Sequence, residues 1–503
     1  MNNKLSAIIK GEAGAWRRLL GVWLVVFAMF TGLAACGGGS TEGDGELSIA
    51  LTDAEGDFVS YAVDVVSLTL TKANGTVVQV LPVKTRVDFA RYTDMTEFLT
   101  IATIPAGDYI KGSMVLDYRN AEILVENAAG QPVTVSADQI KDGSGNVVTT
   151  MEMSVQLEGR NHLVILPGVP AHLTLDFDLK QSNAVNFTGG VPDLTVQPFL
   201  LAEVNAEHNK PHRLRGPLKQ VQVENGTFQL FVRPFLHYIN RNSLHHFGVL
   251  RVNTDADTIF EIDGVIYQGS AGMAVLATMS QYSAVTVMGD LRHLPRRLTA
   301  RMVYAGSSVP GGNLDVIQGS VTARTGDVLT VKGITFTRNN GAITFNDSVQ
   351  VSLDNSTTVL KALNLGTFNK DDVSVGQFVT IFGTLSGAPG NHTLNAANGY
   401  ARMELSWLRA SRVGVVFIPE NPPPYQFVLN VNRINGRDIA QFDFTGTGLD
   451  AANDADPTFY EVNEGALNVS AVQTDAAVLV RGHVTPFGSA PADFDAVTVI
   501  NTP

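Results

Sequence analysis

The chain has 503 residues, of which 45% are hydrophobic and 17% are charged, and its formal net charge is −13. This length is sufficient for several domains with hydrophobic cores, and the acidic balance argues against nucleic acid or an anionic lipid surface as a partner. The single cysteine excludes a disulfide framework and a zinc site built from several thiolates.

The N-terminal segment has the pattern of a removable export signal. Four basic residues precede an apolar run over residues 19–35, and this run ends in the sequence Leu-Ala-Ala followed by Cys36 and Gly37. The segment resembles the lipobox of bacterial lipoproteins. The resemblance implies cleavage before Cys36, with acylation of the Cys36 sulfur and of the freed amine. The alternative is an uncleaved anchor helix, because 17 residues lie at the lower limit of a bilayer span.

Lipidation at Cys36 predicts a protein held in the cell envelope, with the membrane as a partner. Three acyl chains exceed the two signals that stable anchoring requires, so we expect the attachment to be permanent. Gly37 after the cysteine, by resemblance to known sorting rules, favours the outer membrane. Removal of residues 1–35 takes away four basic residues and one acidic residue, so the net charge of the processed chain falls to −16.

Short alternations of apolar and polar residues, with 47 glycines, predict an all-β chain. We expect an N-terminal β-sandwich followed by three small β-barrel-like repeats. The predicted parts are a lipoprotein signal peptide at 1–35, a flexible tether at 36–46, a β-sandwich domain at 47–210 and β-barrel-like repeats at 211–308, 309–411 and 412–503. Residues 37–46 contain no apolar side chain, and random-coil scaling gives this segment a root-mean-square reach of about 16 to 19 Å.

Three parts of the predicted sandwich carry a family resemblance. They are Leu47–Ala54 at the start, Ile104–Tyr109 in the middle, and Leu175–Ser182 with Val196–Phe199 near the end. In residue type, order and spacing they resemble the bacterial lipoprotein family catalogued as domain of unknown function 4382. The resemblance implies a β-sandwich module on an exported lipoprotein. It implies no reaction, because the family has no established activity.

The remaining chain repeats with a period of about 95 residues. Each copy contains a strand that ends in glycine, namely Val285–Gly289, Val379–Gly383 and Val478–Gly482, at intervals of 94 and 99 residues. We expect this glycine to permit a bend into the next strand. The middle copy, with Gly319–Val321, Val328–Val331, Thr357, Thr358 and Val375–Gly383, resembles the exported β-barrel family catalogued as domain of unknown function 5666. The flanking copies resemble it more weakly.

Asp176 and Asp178 form the strongest pair of candidate carboxylates. Residues two apart on a strand share a face, with Cα atoms roughly 6.6 Å apart, so this pair could bind calcium or act as the acid and base of a glycosidase. The acidic turn of Asp53, Glu55 and Asp57 could supply further calcium ligands. We favour a structural role, either on a solvated sheet face or in accepting backbone N–H bonds at a strand end.

Histidines give a weaker signal for a metal. His208 and His212 lie four residues apart, and His245 and His246 are adjacent, but Pro211 precludes a regular helix that would place the first pair on one face. A polar linker is the favoured interpretation of residues 208–212. The sequence contains no serine-hydrolase elbow, zinc-protease motif or phosphate-binding loop. We therefore assign no catalytic residue, no metal ligand and no cofactor, and the one assigned site residue is Cys36.

These features predict a non-enzymatic, lipid-anchored envelope protein with a structural or adhesive role. Small barrels of this kind bind oligosaccharides or nucleic acids on one face, and the negative charge favours a glycan, or another envelope protein, as the ligand. The alternative is a surface hydrolase with an acidic site between domains that uses Asp176 and Asp178. A third possibility is a solute-binding subunit of a transporter. A deep acidic pocket would favour the hydrolase, and an exposed aromatic face would favour the binder.

The lipid assignment makes a direct prediction for Cys36→Ser. Because a hydroxyl cannot replace the acylated thiol, the variant should remain as an unprocessed precursor, heavier than the processed chain by the mass of residues 1–35. Intact-mass spectrometry of membrane extracts measures this difference, with Ser40→Ala as a control that should be processed normally. A variant of normal processed mass that is released in soluble form would contradict the lipid assignment.

Overall fold

The computed structural model describes residues 43–501, with short gaps. The residues left out within this range are 54–57, 93–94, 128–131, 198, 206–209, 234–246, 294–295, 312–313, 340–342, 389–390, 411–415, 419–425, 466 and 468–476. Cys36, the predicted signal peptide and most of the predicted tether lie outside the described residues. No helix among the described residues is both long enough and apolar enough to span a bilayer.

The N-terminal part, called the sandwich unit (residues 43–205), consists of two main sheets around a common core. Its strands are β1 (Asp44–Thr52), β2 (Phe58–Lys72), β3 (Val77–Gln79), β4 (Thr85–Asp88), β5 (Thr96–Pro105), β6 (Gly107–Glu126), β7 (Pro132–Thr134), β8 (Ile140–Lys141), β9 (Thr150–Gln156), β10 (Leu163–Ile165), β11 (Ala171–Phe177), β12 (Asn183–Thr188), β13 (Val191–Val196) and β14 (Leu200–Val204). Helix α1 is Leu179–Ser182, and short 3₁₀ turns lie at Phe89–Tyr92, Ala137–Gln139 and Gly159–Asn161.

The first sheet of the sandwich unit has the order β14-β11-β1-β5, and the second has the order β10-β6-β2-β3, with β4, β7 and β9 paired to its long strands. Strands β12, β13 and β8 form a third, smaller sheet. Strand β1 is central and parallel to β11, and Leu47, Ile49 and Leu51 are almost completely buried. Burial of these side chains on the inner face gives the alternation that the sequence shows.

Barrel 1 (residues 210–311) follows directly. Its elements are β15 (His212–Gln222), β16 (Thr227–Phe231), β17 (Val249–Asn253), β18 (Ile259–Ile262), β19 (Val265–Gln268), α2 (Gly269–Leu276), β20 (Ala284–His293) and β21 (Arg296–Ala305), with 3₁₀ turns at Val223–Asn225 and Gly306–Ser308. Barrel 2 (residues 314–403) contains β22 (Asp315–Thr325), β23 (Val328–Thr337), β24 (Ile343–Ser352), β25 (Thr358–Lys361), β26 (Phe378–Ser386) and β27 (Thr393–Met403), with a 3₁₀ turn at Lys370–Asp372.

Barrel 3 (residues 406–501) contains β28 (Ser406–Ala410), β29 (Val416–Ile418), β30 (Gln426–Leu429), β31 (Val431–Ile434), β32 (Arg437–Asp438), β33 (Tyr460–Asn463), β34 (Val478–Val484) and β35 (Phe494–Asn501), with a 3₁₀ turn at Ile439–Gln441. Strand β28 pairs with β31 and β34 of this barrel, so the ring begins before residue 412. The aromatic residues Phe427, Phe442, Phe444 and Tyr460 are buried in its core, whereas Phe459 is exposed.

The three barrels share one topology. Barrel 1 closes as β15-β16-β17-β21-β20 and back to β15, and barrel 2 closes as β22-β23-β24-β27-β26 and back to β22. In barrel 3 the ring runs from β28 through β31 and β30 to β33, β35 and β34. Each ring has one parallel pairing, between its third and its last strand. This is a five-stranded Greek-key barrel of the OB type, and the predicted all-β class is confirmed.

The repeated glycine has the same role in each barrel. Gly289, Gly383 and Gly482 lie at register shifts between the last two strands of their barrels. A Cβ atom at any of them would collide with a backbone carbonyl of the last strand, namely that of Thr299, Asn395 or Asp495. The glycine therefore permits two backbones to approach at the bulge, where the wall of the barrel bends.

The sandwich unit and barrel 1 are continuous. Strands β5 and β15 pair in parallel at Thr96–His212 and Glu97–Arg213, which joins the two parts into one 11-stranded sheet. A single hydrophobic cluster extends from Leu47 to Ala305 across this pairing. Barrels 2 and 3 have clusters of their own. The division of the chain into independently folding domains stays a prediction.

The bulge geometry predicts that Gly383→Ala destabilises barrel 2. Forcing a methyl group against the Asn395 carbonyl must displace backbone, which should cost about 1 to 3 kcal/mol of folding free energy. The measurement is the urea midpoint followed by the fluorescence of Trp407 at the barrel 2 to barrel 3 junction. Gly112→Ala is the matched control, because a Cβ at that buried position meets Val155 and Leu70 at ordinary contact distances. Equal midpoints for both variants would refute this account.

Candidate functional site

A cavity with a volume of about 1120 Å³ lies where the sandwich unit and all three barrels meet. Among the described residues, eight arginines but no lysine line it, with four carboxylates. The arginines are Arg91, Arg213, Arg215, Arg301, Arg402, Arg433, Arg437 and Arg481, and the carboxylates are those of Asp88, Glu126, Glu404 and Asp438. An arginine-rich cavity is unexpected in a chain with an excess of acidic residues.

One group of arginines holds the sandwich unit against the barrels. Glu97 is buried on β5 and accepts hydrogen bonds from the guanidinium groups of Arg213 and Arg215 on β15, at 2.7 Å from Arg215 Nε. Arg91 Nη2 donates to Gln318 Oε1 of barrel 2 at 2.8 Å. Burial, together with the neighbouring Arg213 and Arg215, lowers the pKa of Arg91 to about 10, although Asp88 opposes this shift. Arg91 therefore stays charged at neutral pH.

Arg402 joins barrel 1 to barrel 2. Its guanidinium donates to both carboxylate oxygens of Glu261, at 2.7 and 2.5 Å, and to the Ser308 carbonyl at 2.9 Å. The same group lies over the Tyr304 ring, 4.0 Å from its centroid. Burial alone would lower the pKa of Arg402, but Glu261 more than offsets this effect and raises it. Because these groups satisfy each other in a buried site, removal of one partner should be strongly destabilising.

A third contact closes the cavity between the sandwich unit and barrel 3. Arg437 Nη1 donates to Glu126 Oε1 at 3.0 Å, and Gln441 Nε2 donates to Glu126 Oε2 at 3.4 Å. The first and the last of the four parts are thereby brought together, and the four parts surround the cavity. Arg437 and Glu126 lie 311 positions apart in sequence, and no local pattern predicts their contact.

The wall contributed by barrel 3 combines aromatic and guanidinium side chains. Trp407 on β28 is the register partner of Arg481 on β34, so their side chains are neighbours on one face of the sheet. Arg433 on β31 lies diagonally opposite Trp407. Two residues after Arg433, the side-chain oxygen of Asn435 accepts the Trp407 backbone N–H at 2.9 Å. The ring of Phe378 lies 6.0 Å from that of Trp407. These residues form the Trp407 face.

The chemistry of the Trp407 face suits a planar, negatively charged group next to an apolar ring surface. Guanidinium groups bind carboxylates with two parallel hydrogen bonds, and arginine is chosen over lysine where that geometry matters. An indole offers a flat surface with a polar edge, on which the apolar side of a pyranose ring can stack. A saccharide with acidic groups presents both features.

The structure places the candidate carboxylates elsewhere, since neither Asp176 nor Asp178 lines this cavity. Asp178 caps helix α1, and its Oδ1 accepts the Gln181 N–H at 2.9 Å, which is the backbone role favoured from the sequence. Asp53 Oδ1 accepts the Leu179 N–H at 3.0 Å at the same helix. No group of three described histidine, cysteine or acidic residues is arranged to hold a metal, and Glu55 and Asp57 lie outside the described residues.

A buried histidine cluster was not predicted from the sequence. His172 on β11 stacks on His293 of β20 with ring centroids 5.0 Å apart, and His212 of β15 lies 5.9 Å from His172. His212 is therefore part of a buried strand, and the interpretation of residues 208–212 as a polar linker is wrong for this residue. His208, His245 and His246 lie outside the described residues. The three clustered residues are 40 or more positions apart, so only the pairing of strands brings them together.

Asp53 makes stability depend on pH. Burial, followed by the charge of Asp176, raises the pKa of Asp53 from 3.8 to about 8, although the Leu179 N–H opposes this shift. The folded state therefore binds the proton of the Asp53 carboxyl group more tightly than the unfolded state does. The stability that this protonation contributes is complete below about pH 4 and is lost as pH rises through about 8.

Asp53→Asn should accordingly show a smaller loss of stability between pH 5 and pH 8.5 than the unsubstituted chain. The amide keeps an oxygen for the Leu179 N–H but carries no titrating proton. Urea midpoints at the two pH values measure the difference. Asp142→Asn is the control, because Asp142 is exposed in a turn where bonds from Asn146 lower its pKa. Parallel pH profiles for all three proteins would contradict the assignment.

Comparison with known proteins supports the N-terminal resemblance. Residues 44–195 match the family described as Domain of unknown function (DUF4382). No curated protein matches the chain. Among solved structures, a Parabacteroides distasonis protein described provisionally as a cell adhesion protein is 9% identical, over 72% of this chain and 99% of that one. Its TM-score of 0.14 carries no argument about fold or function. The sandwich unit is thus similar to the DUF4382 family over residues 44–195.

Proposed function

We propose that this protein is a lipid-anchored bacterial envelope protein that binds a segment of an acidic polysaccharide in its central cavity. The Trp407 face is the observation that carries the proposal, because it places an indole between two guanidinium groups at the surface of the central cavity. Lipidation of Cys36, location in the outer membrane and resemblance of the barrels to domain of unknown function 5666 belong to the same proposal.

The charge distribution supports an acidic ligand. Five of the eight cavity arginines pair with carboxylates: Arg213 and Arg215 with Glu97, Arg402 with Glu261, Arg437 with Glu126 and Arg301 with Asp290. Even so, arginines outnumber carboxylates two to one among the described lining residues. An excess of cations in a cleft attracts an anionic polymer despite the negative charge of the whole chain.

The proposed role is binding without cleavage. Hydrolysis of a glycosidic bond requires two carboxyl groups on opposite sides of the scissile bond. Asp176 and Asp178, the pair predicted for the rival hydrolase, lie at the start of α1 and outside the cavity. Burial raises the pKa of Glu404 in the cavity wall, and Arg402 beside it has the opposite effect. Burial also raises the pKa of the lining residue Asp88. Asp88 Oδ1 accepts the Tyr61 N–H at 2.8 Å and Glu404 Oε1 accepts the Thr380 hydroxyl at 2.9 Å, which supports a structural role for both carboxyl groups.

The test is retention of polysaccharides of different charge by the detergent-solubilised, processed chain. Polygalacturonate and alginate are the acidic probes, and a neutral glucan is the comparison. We expect retention of the acidic polymers that weakens with added salt, because guanidinium to carboxylate contacts are screened. Trp407→Ala and Arg481→Gln should each weaken binding about tenfold, the loss typical of an interface anchor.

Tyr282→Ala is the matched control, because Tyr282 is 61% exposed on barrel 1 but does not line the cavity. It should leave binding unchanged. Equal retention of neutral and acidic polymers, or equal effects of all three substitutions, would refute binding at the Trp407 face. Release of reducing ends from a retained polymer would instead establish hydrolysis. Retention of an envelope protein but of no polymer would establish a protein ligand.

A further inference from the structure

An exposed apolar turn lies at the end of β10. Residues 163–171 contain no charged side chain, and within them residues 166–170, called the apolar tip, are all exposed. Leu163 and Ile165 point into the core, so the alternation of the strand should put polar residues between and after them. Val164, Leu166 and Val169 occupy those solvent positions instead, and the side chains of Leu166 and Val169 are 45% and 52% exposed.

On the neighbouring strand, an exposed carboxylate borders the apolar surface. Val164 is the register partner of Asp108 on β6, and Ile110, two residues further along that strand, is exposed on the same face. Single exposed apolar residues are ordinary on protein surfaces, but a contiguous group of them indicates a contact with something else.

The apolar tip lies beside the point where the described chain begins. A Cβ atom on Gly43 would be 3.0 Å from the Pro167 ring, and the Gly43 carbonyl accepts the Ala106 N–H at 2.7 Å. Strand β1 then starts at Asp44, between β5 and β11. The tip and the entry of the chain are therefore on the same end of the sandwich unit.

The length of chain before Gly43 limits how far the tip can lie from the proposed anchor. Cys36 precedes Gly43 by seven residues, which span at most about 25 Å when fully extended and about 13 to 16 Å on average as a random coil. Acyl chains on Cys36 would hold its sulfur at the membrane surface. The end of the sandwich unit that carries the apolar tip must then face the bilayer at short range.

We propose that the apolar tip inserts into the interfacial region of the membrane that holds the lipid anchor, and so fixes the orientation of the sandwich unit. The proposal rests on lipidation of Cys36. The lipid surface is engaged by apolar side chains and not by charge, because the exposed tip is uncharged and the whole chain is acidic.

The experiment uses depth-dependent fluorescence quenching in zwitterionic phosphatidylcholine vesicles. Acylation blocks the sulfur of Cys36, the only cysteine of the chain, so Val169→Cys introduces a single reactive thiol for an environment-sensitive fluorophore. Val265→Cys is the matched control, since Val265 is 51% exposed at the β18–β19 turn of barrel 1. With nitroxide-labelled lipids, we expect at least twofold stronger quenching of the label at position 169 than at position 265.

Each outcome decides a separate question. Equal quenching at both positions in vesicle-bound protein would overturn insertion of the tip and leave the lipid anchor intact. Labelling of the unsubstituted chain at Cys36, or its loss from the vesicles, would overturn the anchor itself. A third outcome is energy transfer between labelled copies that rises with protein density, with no quenching by lipid. It would show that the tip packs against a second copy, and it would also overturn the proposal.

Discussion

Close approach of two backbones at a glycine bulge determines the shape of each barrel, and the cavity depends on those barrels. Gly289, Gly383 and Gly482 let the last two strands meet where any side chain would strike a carbonyl. With the bend in place, the last strand reaches the third strand and pairs with it in parallel, which closes the ring. A closed ring has no free edges, so its outer faces become available for contact with neighbouring parts.

Those contacts rely on arginine and carboxylate pairs with partners far apart in the chain. Glu97 with Arg213 and Arg215, and Glu261 with Arg402, are largely buried, and each pair joins two different parts of the protein. Desolvation makes such pairs costly, so they contribute less to net stability than to selecting one relative arrangement of the parts. The same residues enclose a cavity whose surface is rich in guanidinium groups. The arginines that assemble the parts and the residues of the Trp407 face thus line one cavity.

The candidate carboxylates illustrate how function can be misassigned from spacing alone. Asp176 and Asp178 have the separation of a possible acid and base pair, yet Asp178 caps a short helix and neither residue faces the cavity. The Asp53 carboxylate, directly after β1, accepts the backbone N–H of Leu179 in the same helix. Burial of this carboxyl group gives the junction between the sandwich unit and barrel 1 a pH-dependent component. Asp53 and Asp178 therefore stabilise the start of helix α1.

The sequence by itself determined the features that depend on local order. Alternation predicted strands, the Asp178 position was consistent with either a solvated sheet face or a backbone contact at a strand end, and recurrence of Val-x-Val-x-Gly and its variants predicted three equivalent bends. Each follows from residues within a few positions of one another, where side-chain direction and backbone freedom are set by the chain itself. Tertiary structure alone decided that Trp407 lies beside Arg481, that Arg437 reaches Glu126, that His172, His212 and His293 form a cluster, and that Leu166 and Val169 are exposed beside Gly43. These contacts join residues on separate strands, and only the register and closure of the sheets bring them together.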